Sequence, residues 1–527
     1  MKSIFKHILI VLPATVVLSS CIKDAMPTGT ITQERLAEVI EMDPSKFSAT
    51  INGMYTDIQQ YVYTNMSHNY FGQKSFDYLS SLEGNDMIMT GRYGMSLYHY
   101  LLDYWQENYN PTNNRWREYY NHIANANSVL KVATADMTNE TMLQYRAVAL
   151  GIRSYAYLQL SYLYQYSYYT GADGTKWGKG AKYDHSNDPL VPLIDENTTE
   201  DQPRASVKDV FDKMIIPGLE EAYAIFSKIG MVKTASPTDF DGCVVANYLA
   251  RAYMIKHDWD NALKYAQVVK ANYPVLTGES QILQGFSDIN LPDVVFGADI
   301  TADNSTIYMS FFSQMDYFGD GYAAIGVWRA GFKPFVDRIA DDDIRLDWFF
   351  TSRNMDRWPA MPVMYYQSMK FIGGGRANIT YDSENDYYYS PNWELGDYIY
   401  LRSEEAYFME AEILAHQGKN NEAVAALNAL MQTRQPSYNY TFTDKASLIE
   451  EINFPKRVEF WGEGIEFIDN RRLNIPVDRT DATWGAANNN HLAAAKMKVE
   501  QESENFLYQL PLSEIENNKM IGPEDQN

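Results

Sequence analysis

The sequence predicts a mainly α fold, a tetratricopeptide-like scaffold of helix pairs that carries a long, loop-rich, partly β insertion. Three observations predict it. Residues 243–274 read as two amphipathic helices joined by a turn at His257-Asp258-Trp259, with Leu249, Ala250, Tyr253, Ala262 and Pro274 at tetratricopeptide spacing. Residues 403–434 repeat the pattern, with Ala411, Gly418 and Ala423 in the small positions and Tyr407 and Leu414 in large ones. Between the two pairs, residues 275–398 lose the helical period and fill with Gly, Asp, Asn and aromatics, broken by short apolar runs such as Val294-Val295-Phe296. Small residues let paired helices approach, and large ones fill the groove beside them. His257 stands where the pattern prefers glycine, so the first pair is a degenerate copy. A lone pair buries little, so further helices must complete the scaffold.

Taken in order, the chain starts with a basic segment, Lys2, Lys6 and His7, followed by an apolar run over 8–18 that is too short to span a bilayer. Leu18-Ser19-Ser20-Cys21 resembles the lipobox of bacterial lipoproteins. That resemblance implies a signal peptide over 1–20, cleavage before Cys21 and acylation of Cys21. Several acyl chains anchor stably where one is marginal. Residues 21–45 read as a tether with a short helix. A helix is expected over 45–63, with Ile51, Met54 and Ile58 at helical spacing. Residues 67–96 read as mainly loop, rich in Tyr and Phe.

Helices follow over 105–134 and 144–165. The second is apolar on two faces, Val148, Ile152 and Tyr155 on one and Leu150, Tyr157 and Leu160 on the other, which places it between neighbours. Ser206 is a good N-cap for a helix over 207–228. The chain thus divides into a helical part over 46–274, the insertion over 275–398 and a second helical part over 399–527.

Composition narrows the function. The 527 residues carry a formal net charge of −24, spread along the chain, which disfavours nucleic acid and anionic membrane surfaces as partners. Of the two cysteines, only Cys243 would remain after cleavage, leaving no internal disulfide. Cys243 lies in an apolar run and is expected to be a small buried hydrophobe. Aromatics make up 14% of the chain, with 41 Tyr and 10 Trp, enough to supply a binding surface as well as a core. Neither a nucleophile elbow nor an HExxH motif is present. The 68 acidic residues make chance carboxylate pairs unavoidable, so a glycoside hydrolase is a weak alternative. The Asp341-Asp342-Asp343 run and the stretch from Asp316 to Asp320 lack calcium-loop spacing, so no metal or other cofactor is expected, and Arg345 is expected to pair with Asp343.

The order of several motifs is similar to that of the SusD/RagB family of outer-membrane nutrient-binding lipoproteins of Bacteroidetes. They are Trp116 with Tyr119, Tyr120, Ile123 and Asn127; Pro203-Arg204-Ala205-Ser206-Val207; Leu401-Arg402-Ser403-Glu404-Glu405-Ala406; Arg457-Val458-Glu459-Phe460-Trp461-Gly462-Glu463-Gly464 through Arg471-Arg472; and Tyr508-Gln509-Leu510-Pro511. Asn470 and Ser403 depart from the family pattern without threatening the fold. The resemblance implies a SusD-like fold and a non-enzymatic protein on the cell exterior. Such a protein captures an oligosaccharide, or a peptide in RagB-like members, and delivers it to a SusC-like TonB-dependent barrel.

Sugar recognition needs flat apolar faces and a few polar groups. By analogy with the family, these come from about 67–100 and 275–330. The candidates are Asp86, Arg92, Tyr93 and Tyr98 in the first stretch, and Tyr308, Tyr317, Phe318, Tyr322 and Trp328 in the second. Trp328, in a Gly-flanked stretch beside Arg329, is the leading one.

Overall fold

The computed structural model describes residues 43–60, 68–91, 96–103, 105–361, 366–480 and 491–527. The chain forms two units, residues 1–47 and 48–527. Of the first unit, a 3₁₀ turn over Pro44–Phe47 is described; Cys21, the expected signal segment and most of the expected tether lie outside the described residues. All elements named below belong to the second unit.

α1 (Ser48–Gln59) buries Ile51, Met54 and Ile58, as its spacing predicts. α2 (Gln73–Leu82) corrects the expectation of loop: it is a helix, buried on nearly every side. Its polar residues hid it, because they are spent inside the protein. Tyr119 donates to Gln73 Oε1 at 3.1 Å, Arg115 donates to Ser80 Oγ at 3.1 Å, and Lys74 Nζ donates to the Ile399 carbonyl at 2.6 Å.

α3 (Asn110–Leu130) and α4 (Glu140–Leu163) follow, and α4 is buried along almost its whole length between α3 and α5 (Ile216–Lys228). The helix expected over 207–228 starts on Ser206, whose Oγ accepts the Asp209 N–H at 3.1 Å. It then widens into a π turn at Phe211–Ile215, where Pro217 supplies no N–H to continue regular α bonding. α6 (Gly242–Ile255) and α7 (Trp259–Asn272) are the first tetratricopeptide-like pair. Ala250, Ala262 and Cys243 are fully buried in them. Asp241 caps α6, accepting from the N–H groups of Cys243 and Val244 at 2.9 and 3.1 Å. His257 in the turn has φ +57°, the left-handed conformation that glycine adopts without strain, which explains the pattern's preference there.

α8 (Glu404–His416) and α9 (Asn420–Met431) form the second pair, and α10 (Lys445–Glu459) and α11 (Ile465–Leu473) follow. The two pairs, separated in sequence by the insertion, touch: α7 packs on α8. Trp259 stacks on His416 with ring centres 4.1 Å apart and planes 2° from parallel, and Tyr407 Oη donates to the Tyr273 carbonyl at 3.2 Å. From α3 to α9 each helix packs on the next, with α10 also against α8. The scaffold is therefore continuous in space, and the insertion leaves and rejoins it between adjacent helices.

Six short strands frame the insertion and its contacts: β1 (Met87–Met89), β2 (Val294–Ala298), β3 (Arg329–Gly331), β4 (Thr380–Asp382), β5 (Tyr387–Tyr389) and β6 (Tyr398–Arg402). All pair antiparallel, β1 with β3, β2 with β6, and β4 with β5. The β2–β6 pair closes the neck of the insertion.

At the end of β6 the motifs of the family pattern meet as one buried ion network. Arg402 donates to Glu459 at 3.1 Å and to Glu463 at 2.9 and 3.0 Å. Arg434 bridges Glu404 and Glu459 at 2.8 and 3.1 Å, and Lys370, from the insertion, donates to Glu463 at 2.6 Å. Arg345 pairs with Asp343 at 2.8 Å, as its position predicts, and also reaches Glu459 at 3.2 Å. Burial alone would raise the Glu463 carboxyl, but Arg402 and Lys370 overrule it and hold it down to about 2. Removing one member of such a network leaves a buried charge unpaired and costs about 3–5 kcal/mol. The Arg–Glu motifs thus lock the insertion onto the helices.

Candidate functional site

The two stretches expected to build the ligand surface are joined by backbone. β1 and β3 pair in the register Met87↔Gly331, Ile88↔Ala330 and Met89↔Arg329. One residue further, the Trp328 carbonyl accepts both the Thr90 N–H at 3.3 Å and its hydroxyl at 3.0 Å. Gly331 has to be glycine here, because a Cβ would sit 2.4 Å from Val336 Cγ2 and 2.8 Å from the Phe349 ring.

Arg329 fastens this seam. It is 1% exposed; its Nε donates to Tyr78 Oη at 2.6 Å and Nη2 donates to Gln314 Oε1 at 2.9 Å. Gln314 Nε2 in turn donates to the His68 carbonyl at 3.2 Å. Arg329 therefore points inward, while its neighbour Trp328 remains half-buried at the surface.

Around the seam lies an aromatic surface. Tyr317 packs edge-on to Trp328 with ring centres 5.9 Å apart, and burial raises its phenol above the ordinary value. Tyr322 Oη and His68 Nε2 are 3.0 Å apart, with the rings in an edge contact at 4.6 Å. Tyr308, 48% exposed, leans on Trp393, and its carbonyl lies 3.4 Å from His68 Nδ1. Ile325 is exposed in the loop before Trp328, next to Gly326 with φ +108°. Tyr98 is also exposed.

Two candidates take other roles. Phe318 is 2% exposed and belongs to a small core with Phe350, Met361, Met369 and Ile372, so it supports the surface from below. Asp86 is equally buried; Arg457 grips its carboxylate from two nitrogens, and its carbonyl accepts from the Phe332 N–H and from Trp461 Nε1. It ties the early stretch to α10 and to the insertion. Arg92 and Tyr93 lie outside the described residues.

Asp316 is buried too. Its oxygens accept the N–H groups of Phe318 and Gly373 at 2.8 Å each, and burial pushes its carboxyl up to about 7. It shapes the loop under Tyr317. Among the described residues no cluster of three or more His, Cys, Asp or Glu is placed to hold a metal ion. What the surface offers is flat apolar faces with hydroxyl, indole and imidazole edges, groups that stack and hydrogen-bond.

Some residues escaped the sequence reading. Tyr388 lies on Trp358 at 5.2 Å, and both rest on Phe318. Ring contacts therefore run without a break from Trp328 through Tyr317, Phe318 and Trp358 to Tyr388 and Tyr381. The turn-rich stretch over 382–386 before Tyr387-Tyr388-Tyr389 is the hairpin signal that could have found them.

Comparison with known proteins places this geometry. A family model described as "Starch-binding associating with outer membrane" matches residues 37–254, and the SusD family model matches residues 347–527. The chain belongs to the SusD family.

Solved structures agree on the fold. A SusD-like carbohydrate binding protein from Bacteroides vulgatus matches with TM-score 0.72 at 20% identity, over 91% of this chain and 97% of its own. A SusD superfamily protein from Bacteroides thetaiotaomicron gives 0.68 at 16% identity, over 92% and 99%. Surface glycan-binding protein A from Bacteroides thetaiotaomicron, solved in complex with laminarihexaose, gives 0.61 at 15% identity, over 90% and 98%. A search of curated proteins finds no match to the sequence. Among the described residues of this SusD-family protein no helix is long and apolar enough to cross a membrane.

Proposed function

We propose that this SusD-family protein is a surface lipoprotein that captures an oligosaccharide on the aromatic seam and hands it, unmodified, to a SusC-like TonB-dependent barrel. The observation that carries this reading is the joining of the two aromatic stretches by β1 and β3 beside the Trp328–Tyr317 ring contact. Stacking faces without a strong charge suit the C–H faces of neutral sugars. The complex of a structurally similar protein with laminarihexaose supports the same ligand class. Cys21 is the lipid attachment site in this reading, and the residues after it are the leash to the outer membrane.

Affinity gels cast with starch, laminarin or xylan, followed by calorimetry with the matching hexasaccharide, test the proposal. Retardation with heat of binding and no new reducing ends is expected. Release of shortened product would make the protein a hydrolase, and binding of peptides with indifference to glycans would make it a RagB-like peptide receptor. Cys21→Ser should move the protein from the membrane fraction to the soluble one; unchanged membrane association would remove the anchor from the reading.

A further inference from the structure

We propose that the β4–β5 hairpin and the cleft at its base form a second carbohydrate-contact site, which takes a short stretch of a neutral glycan. The inference rests on the glycan-binding reading above and adds a site to it.

The register Thr380↔Tyr389, Tyr381↔Tyr388 and Asp382↔Tyr387 sorts the hairpin into two faces. Tyr388 lies on the inner face, packed on Trp358 and Phe318, and Tyr381 accompanies it at 5.1 Å. That face accounts for the folding of the hairpin. Tyr387 and Tyr389 are on the other face, 49% and 37% exposed, with ring centres 6.1 Å apart and planes 46° from parallel. A solvent-facing strand position ordinarily carries a polar residue, as Thr380 and Asp382 do on this face. Two tyrosines there form a twisted platform for consecutive rings of a chain that turns.

The platform continues into a cleft. A space of about 700 Å³ is lined by Gly373, Gly374, Asn378, Thr380 and Asn392, among others. Thr380 faces Tyr389 across the hairpin, so tyrosines and cleft adjoin. The wall is backbone: a Cβ on Gly373 or Gly374 would come within 2.0 Å of the Trp393 or Pro391 carbonyl. Asn378 and Thr380 add an amide and a hydroxyl. Stacking rings beside a polar cleft match the two sides of a sugar, its C–H face and its hydroxyls.

Size and charge select among ligands. The two tyrosines at these exposures leave on the order of 200 Å² open, against the ~800 Å² per partner of a stable protein interface. The area fits a few sugar rings. Asp382, Glu384 and Asp386 at the turn repel anionic glycans. Since Tyr388 of the hairpin and Tyr317, which touches Trp328, pack on one small core, a long glycan engaging both gains avidity.

The test compares wild type, a Tyr387→Ala/Tyr389→Ala variant, the corresponding Phe pair, and Trp328→Ala. Each is run in native gels with starch, laminarin or xylan, and titrated with maltohexaose, laminarihexaose or xylohexaose. The Ala pair should melt as wild type does and bind the polymer roughly tenfold more weakly, while the Phe pair, which keeps the rings, binds almost normally. Wild-type retardation of the Ala pair on a polymer that Trp328→Ala no longer binds would overturn the hairpin site and leave the seam standing. Loss in the Ala pair with normal binding by Trp328→Ala would keep the hairpin and sink the seam. A wild type held back by none of the three glycans overturns both. If the Ala pair binds glycan normally but no longer co-purifies with the barrel, the hairpin is a protein contact and the proposal fails.

Discussion

Arg329 offers the sharpest probe of how the seam is held. Its guanidinium is buried and donates to neutral acceptors, Tyr78 Oη, Gln314 Oε1 and the Val327 carbonyl. Replacing it with Met keeps most of the stem volume and removes every donor. Gln314 Oε1 then loses a charge-assisted bond worth about 1.5–3 kcal/mol, and a stranded buried acceptor costs about 1–3 kcal/mol. Against this, Met no longer has to hold a charge out of water, an expense of several kcal/mol per ion. The balance is a net loss of about 2 kcal/mol for Arg329→Met. Arg329→Ala adds a cavity where the stem was, for a further ~1–2 kcal/mol. Thermal melts should rank wild type above Met above Ala. Calorimetry on the ligand that wild type binds should show weaker affinity in both, because Trp328 directly precedes Arg329 and β3. An Arg329→Met protein that melts at or above wild type and binds equally well would refute this role.

Two further outcomes follow from the buried groups. The folded Glu463 carboxyl sits below its unfolded value, so the stability it contributes is complete above about pH 4.5 and is lost as pH falls toward 2. Moving a carboxyl from 4.5 to about 2 corresponds to ~3 kcal/mol, so Glu463→Gln should lower the melting temperature at pH 7 and flatten its decline between pH 4.5 and 2. A variant profile parallel to wild type would show that Arg402 and Lys370 do not act through Glu463. Phe318→Ala should cost about 3–5 kcal/mol as a core truncation and loosen Trp358 and Tyr388. Unchanged stability with weakened glycan binding would instead return Phe318 to the ligand surface.

The helices were legible where apolar residues recur at helical spacing, as in α4, α6 and α7. α2 was not, because Gln73, Lys74 and Ser80 look solvent-facing until Tyr119, Arg115 and Ile399 arrive from distant parts of the chain. Contact between α7 and α8 was equally hidden, since the Trp259–His416 stack joins residues on either side of the insertion. In the site, the two expected stretches prove to be joined by β1 and β3, and residue type did not foretell which of their side chains are buried. Phe318 and Tyr317 are adjacent, yet the first is core and the second half-exposed; Asp86 and Arg329 have the chemistry of sugar contacts but satisfy it internally. Burial is a property of the packed chain that residue type alone does not carry.

The most direct measurement is calorimetric titration of wild type and Trp328→Ala with a hexasaccharide drawn from a polymer that retards the wild type. Trp328 meets Tyr317 edge-on at the surface of the seam, and its loss should remove most of the binding heat while leaving the melting temperature within a degree or so, a change typical of surface substitutions. Equal affinity in the two proteins would contradict capture on the seam.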